Sequence, residues 1–514
     1  MRSSLTGLLG VGLVIACLFA TPAPALEAGQ LRGKIEEAFK LIHAARGPEA
    51  PPPLVYDGLE VEGQGQGEDG GEGFKVTLTG LRMIPDPAKA ARLDIGSASF
   101  TMTPAGQRGG DELFQVSDLS LPPRWLYSED GQSPSHVVKP GLLAFEGLWS
   151  FAYLRLMEGR FSASGAAVET AAGEPLAGFE TILGDLASRP VEKERYDIDA
   201  RLQVEGVTLR DDDLRVSLGR VDGKVEVPDH DPAAVVAVLR QAAEGAPEGT
   251  AEEASTSLVT DLLTLSQGGR MAFEFRDFRG ARKGSQEALE IDSVSLGYAV
   301  SDLEESVAKL DLALAQTGLR ITAPDLKAEG LAAALMPADG SAVLSLERIP
   351  LRSLLALLEP LAEEVEGEDL TLGGPKSERL AAEAGEKLIG AMSAAGTTLD
   401  LSGTRFAAPD AEVALKGGLV IDAGAAFGVR GTVLAEVGGF DALLELAQQS
   451  LADPDQKIRD NARGAVTILV LLKAFAERDE SGAEGPVDRF LVKVEPDGAL
   501  SVNDKLLLPP QPSH

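Results

Sequence analysis

A sequence shows its chemistry first in histidines, cysteines and grouped carboxylates, and this chain offers few that are placed to act. Its 514 residues include four histidines, His43, His136, His230 and His514, and one cysteine, Cys17. Ser135-His136 lies between Pro122 and Pro140, near Trp125 and Tyr127. A serine and a histidine with an acid make a hydrolase, but the geometry that matters is spatial rather than sequential. The plain reading is a surface histidine. Ser306-Val307-Ala308-Lys309 matches the Ser-x-x-Lys nucleophile pattern. That chemistry also needs Ser-Asp-Asn and Lys-Thr-Gly elements, and the chain has neither. Gly63-Gln64-Gly65-Gln66-Gly67 is glycine-rich enough to cradle a phosphate, yet Glu68, Asp69 and Glu72 follow at once and repel one. It reads as a hairpin loop. Asp211-Asp212-Asp213 and Asp229-His230-Asp231 carry hard oxygen ligands, but neither sits in a glycine-containing calcium loop. The first reads as a solvated turn. In the second, Asp231-Pro232 reads as a helix N-cap followed by proline at the first helical position. The sequence thus assigns no catalytic, cofactor-binding or metal-binding residue.

Arg276, Arg279, Arg282 and Lys283 form a concentrated basic stretch in an acidic chain, interleaved with Phe273, Phe275 and Phe278. Its functional reading is a contact for an anionic headgroup or an acidic partner. The competing reading is a strand edge whose arginines discourage pairing.

Composition narrows the classes further. The formal net charge of −33 repels phosphate backbones and argues against nucleic acid as a partner. It also disfavours broad contact with an anionic membrane surface. With 44% hydrophobic and 25% charged residues, the chain is globular. Aromatics make up only 5%, which leaves little for the stacked platforms of a glycan-binding cleft.

The first residues read as an export signal. Arg2 supplies the positive charge, Leu5 to Ala20 the apolar run, and Ala23-Pro24-Ala25 the small-x-small cleavage pattern. The run is shorter than the ~20 residues that span a bilayer, so the mature form is expected to lack a transmembrane helix. The expected location is the periplasm. The alternative uses Val14-Ile15-Ala16-Cys17, a loose lipoprotein box that would leave the protein membrane-anchored through a lipidated Cys17. Cleavage after Ala25 removes the cysteine, and with it thiol catalysis, Cys-ligated zinc and Fe–S clusters.

Periodicity then sets out the body. Ile35, Phe39, Leu41 and Ile42 predict a first helix over Leu31 to Arg46, stopped by Gly47 and Pro51-Pro52-Pro53. Strand-like alternation follows at Val55–Val61, Phe74–Leu78, Leu93–Met102 and Leu113–Leu121, and Leu142–Leu156 fits a helix or a buried strand. Tyr196 to Val227 reads as three or four short strands, with turns at Asp211–Asp213 and Asp222-Gly223. A helix over Ala233–Ala243 closes an N-terminal domain, residues 26–243. The Gly-, Ala-, Glu- and Pro-rich stretch 244–256 reads as a linker, and 257–514 as a C-terminal domain.

That second domain carries a repeat. Gly318-Leu319-Arg320-Ile321-Thr322-Ala323-Pro324-Asp325 and Gly403-Thr404-Arg405-Phe406-Ala407-Ala408-Pro409-Asp410 share Gly-x-Arg-apolar-x-Ala-Pro-Asp. Each precedes strand-like segments and an amphipathic helix, Leu351–Val365 in the first copy and Phe440–Leu451 in the second. A long helix over Gln456–Arg478 and a closing hairpin around Pro496-Asp497-Gly498 follow. The expected fold class is α+β: mainly antiparallel, curved β-sheets in repeated β-β-β-α units, with interspersed amphipathic helices.

The segment Gly417–Leu446 and the end Asp497-Gly498-Ala499-Leu500-Ser501-Val502-Asn503 resemble a bacterial family of exported proteins of unknown function. They are also similar to the YdgA-like and AsmA-like envelope proteins, over roughly Leu310 to Pro509. The resemblance implies an envelope protein of extended strands and short Phe-Asp-Ala-Leu-Leu helices, and it supplies no catalytic residue. The AsmA-like proteins keep an N-terminal membrane helix where this chain reads as carrying a cleavable signal. The resulting expectation is a non-enzymatic periplasmic envelope protein without cofactor, presenting an apolar groove to a lipid or an envelope protein partner. The alternatives are an exported carboxylate-dependent hydrolase and an acidic scaffold without ligand.

Overall fold

The computed structural model describes residues 27–44, 52–64, 73–85, 91–108, 111–192, 194–211, 213–244, 266–285, 287–303, 307–322, 334, 336–351, 353–354, 375–481 and 485–510. The expected signal segment with Cys17, almost all of the expected linker, Ser306 and nearly all of the helix expected over Leu351–Val365 lie outside them. The chain divides into two compact units, Met1–Met271 and Ala272–His514.

The first unit opens with helix α1 (Ala28–Ala44). Leu31, Ile35, Ala38 and Leu41 recur at the helical period and are all buried. Strands β1 (Leu54–Val55), β2 (Gly58–Gln64), β3 (Gly73–Met83), β4 (Arg92–Arg108), β5 (Asp111–Ser120), β6 (Trp125–Ser128), β7 (His136–Lys139) and β8 (Leu142–Ser150) follow. The long strands β9 (Arg155–Thr170), β10 (Pro175–Pro190), β11 (Tyr196–Arg210) and β12 (Leu214–His230) lead to helix α2 (Pro232–Glu244). The pairings among these strands are antiparallel. β1 and β2 both pair with β3, β5 and β6 both flank β4, β7 and β8 both flank β9, and β9 to β12 form a meander. Leu142–Leu156 resolves into β8, a turn and the start of β9. Tyr196–Val227 forms two long strands rather than several short ones. Asp222-Gly223 is no turn, because Asp222 faces Gln203 and Gly223 faces Leu202 within the β11–β12 ladder. Arg220 grips the Asp222 carboxylate on the same strand, which satisfies the charge without a bend.

One face of β1–β8 and α1 enclose the main core. Phe74, Val76, Leu78, Phe100, Met102, Phe114, Val116 and Trp149 meet Leu31 and Ile35 there. Alternation puts Phe114 and Val116 on that face and turns Asp111 and Leu113 to the other. On that other face Leu113 joins a smaller apolar cluster with Tyr153, Met157 and Tyr196.

Strand β13 (Gly268–Arg282) spans the division between the units. The second unit continues with β14 (Ala288–Ser301), β15 (Ala308–Thr317), β16 (Arg320–Thr322), β17 (Asp339–Ile349), helix α3 (Pro375–Ala395), β18 (Thr398–Asp400), β19 (Thr404–Ala408), β20 (Ala411–Ile421) and β21 (Val429–Gly438). Helices α4 (Phe440–Gln449) and α5 (Gln456–Phe475) precede β22 (Glu477–Asp479), β23 (Val487–Val494), β24 (Leu500–Val502) and β25 (Lys505–Leu508). The expected closing hairpin is present as β23 and β24, with Gly498 at φ 81° in its turn. The long helix ends at Phe475, not Arg478.

A repeated β-β-β-α unit is not shown. The two signature segments agree locally: in each, a glycine of positive φ (Gly318, Gly403) lets a broken strand resume, and the following arginine pairs with a carboxylate. Their ladders differ, however. β16 pairs with β14, whereas β19 lies between β17 and β20.

Candidate functional site

Ser135 Oγ lies 2.9 Å from His136 Nδ1, and Glu129 Oε1 lies 4.0 Å from the same nitrogen. A hydrolase needs serine and acid on opposite ring nitrogens, so this trio cannot relay a proton. Lys309 sits between Asp311 and Glu347, whose charges hold its ammonium above the usual lysine range. It is therefore no neutral base. Asp231 Oδ1 accepts the Ala234 N–H at 2.9 Å and caps α2, with Pro232 at its first position. Asp211 and Asp213 flank the β11–β12 turn. Among the described residues no group of three or more His, Cys, Asp or Glu side chains is placed to hold a metal ion.

The basic stretch lies on β13 and its turn. Arg276 binds Glu274 through two bonds of 2.9 and 2.7 Å, and Arg282 lies 3.9 Å from Glu287. Arg279 lies close enough to Asp292 on β14 to help hold that carboxyl low, after Arg320. Lys283 is exposed at the hairpin turn. Phe273 and Phe275 stack with centroids 6.4 Å apart.

The sequence missed a second cluster, in the first unit. The β8–β9 turn projects Tyr153 and Arg155, and its Leu154 adopts φ 50°. That left-handed conformation is costly for a leucine and marks an over-determined turn. Asp229 takes φ 48° just before His230, at the end of β12. Its carbonyl accepts both Arg195 Nε and Nη2, and its N–H donates to Asp197. Leu113, Tyr153, Met157 and Tyr196 pack together there, with Ala233 of α2 against them.

Inside this cluster the Arg155 guanidinium lies over the Tyr196 ring, Cζ 5.0 Å from its centroid. Its Nε, Nη1 and Nη2 are all buried, and none has a hydrogen-bond partner. Asp111 Oδ2 is likewise buried and unpartnered, while Oδ1 accepts the Ala152 N–H at 3.4 Å. Burial pulls Arg155 down to about 10, so it stays charged at neutral pH, with Tyr196, Tyr153 and Asp111 acting against the shift. Burial also pushes the Asp111 carboxyl up. Tyr153 is raised well above the usual phenol range, first by burial and then by its hydrogen bond to Tyr196.

His230 faces Tyr196 across the β11–β12 ladder. Burial, followed by the charge of Arg155, pulls it down to about 4; Asp231 opposes and Arg195 adds to the effect. Between about pH 6.5 and 4 the unfolded chain therefore carries a proton that the folded chain refuses. This contribution is complete above pH ~6.5 and is lost as pH falls toward ~4, on the order of 3 kcal/mol in full. Asp111 has the opposite sign, since its raised pKa favours the folded state on acidification. We expect urea unfolding at about pH 7 and about pH 4.5 to show a smaller acid loss in His230→Gln than in wild type. An equal loss in both would remove His230 as a cause.

The second unit offers a surface instead of a cluster. Val300, Leu310, Leu346, Leu399 and Leu419 are successive cross-strand partners on β14, β15, β17, β18 and β20. Tyr298, Leu312 and Leu344 form a shorter row beside them, and Leu296, Leu314 and Ala342 another. None of these side chains is fully buried, and Leu296 (47%), Tyr298 (41%) and Leu314 (50%) are exposed. Phe406, 42% exposed, joins the same face opposite Gly340. The reverse face carries Ser293, Ser295, Lys309, Asp311, Ser345 and Glu347. Among the described residues no helix is long and apolar enough to cross a membrane.

No family model, curated protein or solved structure matches the chain.

Proposed function

We propose that this is an exported, non-enzymatic envelope protein of the periplasm that lays lipid acyl chains along the apolar face of its second unit. The observation that carries the reading is the aliphatic row Val300–Leu310–Leu346–Leu399–Leu419 with its exposed neighbours Leu296, Tyr298 and Leu314. Five adjacent strands extend the row over roughly 19 Å at the usual strand spacing. An acyl chain reaches about half of a ~30 Å hydrocarbon core, so it can lie along this row. Each Å² of apolar surface covered is worth about 25 cal/mol. An apolar face of this kind suits a partner with no hydrogen bonds to satisfy.

The basic residues Arg276, Arg279, Arg282 and Lys283 are the proposed headgroup contact. Arg279 stands near Asp292 of β14, the strand that opens the apolar face. A phosphate or carboxylate headgroup would compete with Glu274 and Glu287 for these arginines.

Mass spectrometry of protein purified from native membranes and periplasm tests the reading. Wild type is expected to carry lipid. Leu296→Glu and Leu314→Glu, both on exposed positions, are expected to lower recovery severalfold without unfolding the chain. Serine at 276, 279 and 282 is expected to shift recovery away from anionic lipids. Absence of lipid from wild type would reject the reading, and unchanged lipid in the triple variant would reject the headgroup contact alone.

A further inference from the structure

A buried guanidinium without hydrogen-bond partners is among the most expensive arrangements a fold can keep. Removing such an ion from water costs several kcal/mol even after relaxation, and each unmet polar group adds its own desolvation penalty. Arg155 has this arrangement at all three nitrogens. Nothing in the main core requires it. Arg155 stands at the turn between β8 and β9, beside the Leu113, Tyr153, Met157 and Tyr196 cluster under α2, where an apolar residue would pack. The nearest balancing charge is Asp111, which attracts Arg155 but makes no hydrogen bond to it, and whose own Oδ2 is unmet. Ser150 helps to fix that carboxyl, and its Oγ also accepts the Tyr153 N–H at 3.1 Å.

We propose that Arg155 is the anchor of a binding site for a small oxyanion, whose oxygens accept the guanidinium N–H groups beside the Tyr196 ring. A carboxylate and a phosphate share the required chemistry: two oxygens spaced for the planar arginine fork. A lysine would present a point charge and could not reproduce that fork. The strained turn at Leu154 and the braced bend at Asp229 hold Arg155 and His230 in place before any ligand arrives. His230 stays neutral there, so it adds no second cation and can offer an N–H or an acceptor. Asp111 Oδ2 is the natural acceptor for a ligand hydroxyl or an acidic proton, which favours a hydrogen phosphate or a hydroxy acid over a bare anion. This site lies within the first unit and does not depend on the lipid reading.

Calorimetric titration of the full chain with sodium phosphate and with sodium lactate, each against sodium chloride at matched ionic strength, tests the proposal. Wild type is expected to bind one of the two saturably, and the arm that responds names the anion class. Arg155→Met is expected to lose at least tenfold in affinity, and Arg155→Lys to lose affinity while keeping the charge. Arg160→Met, on the exposed side of β9, is expected to bind as wild type does. Should Arg155→Met fail to fold, Arg155→Lys carries the same test. Two results would overturn the site: no saturable binding of either anion by wild type, or equal binding by the Arg155 variants. A purely structural arginine predicts the first of these, with Arg155→Met less stable than wild type, whereas an arginine kept for a ligand predicts a variant as stable as wild type or more so.

Discussion

Trp149→Ala is expected to destabilise the first unit by about 3–5 kcal/mol. Trp149 is completely buried. It sits on β8 opposite Phe114 on β5 and opposite Leu156 on β9, so both flanking strands pack on it. Phe114 in turn meets Phe151 edge-on at 5.8 Å, and α1 closes the same core with Leu31 and Ile35. Truncation would remove the largest side chain of this layer and leave a cavity that β-strands locked in register cannot collapse to fill. A domain holds roughly 5–15 kcal/mol in all, so the loss takes a large share of it. Urea unfolding followed by far-UV circular dichroism reads the effect directly. Trp149→Phe keeps an aromatic ring and should recover more than half of the loss. A cost under about 1 kcal/mol for the alanine variant would mean that α1 does not seal this core.

The sequence was legible wherever burial imposes a period. Ile35, Phe39, Leu41 and Ile42 announce α1 because one face of a helix repeats near that spacing, although the buried stripe is Leu31, Ile35, Ala38 and Leu41. Phe74, Val76 and Leu78 announce β3 for the same reason at period two. The reading failed where polar residues are satisfied inside a ladder. Asp222-Gly223 has the composition of a turn, yet Arg220 neutralises Asp222 and lets the strand run on to His230. Beyond the closing hairpin, Asn503 and Asp504 both adopt positive φ and start a further hairpin to β25.

The candidate sites divide along the same line. The apolar face of the second unit was half visible, since Val294, Leu296, Tyr298 and Val300 alternate with Ser293, Ser295 and Gly297. Alternation shows that one face is apolar but not that Leu296, Tyr298 and Leu314 on it are exposed. Arg155 was not visible at all. Its neighbours Asp111, Tyr196, His230 and Ala233 are distant in sequence and meet only once the β5–β12 ladders and α2 are in place. A lone arginine in the apolar run Leu142 to Leu156 was the one available signal, and a strand end accounts for it equally well.

Asn503→Ala is expected to cost the second unit about 3 kcal/mol or more, an unusual amount for one small polar residue. The physical reason begins with the backbone. Asn503 holds φ 48°, a conformation that asparagine tolerates and alanine resists. Its side chain is buried and completely used. Oδ1 accepts the Leu491 N–H at 2.7 Å, and Nδ2 donates to the carbonyls of Phe475 and Arg489 at 2.8 and 2.7 Å. One amide thus ties the last carbonyl of α5 to β23 and extends the β23–β24 ladder past its final pair. Alanine would leave one backbone N–H and two carbonyls short of a partner in a region that packs Phe440, Phe490 and Val502. Each buried unmet group costs about 1–3 kcal/mol. Asn503→Gly separates the two causes: it relieves the backbone but not the lost bonds, so it should recover at most about 1 kcal/mol. Asn503→Asp keeps the acceptor and loses both donors, placing a charge against two carbonyls, and should be as harmful as alanine at neutral pH. Full recovery by glycine would show that the backbone conformation alone matters. Chemical denaturation of the three variants, with hydrogen exchange at the Leu491 amide as the local readout, decides between them.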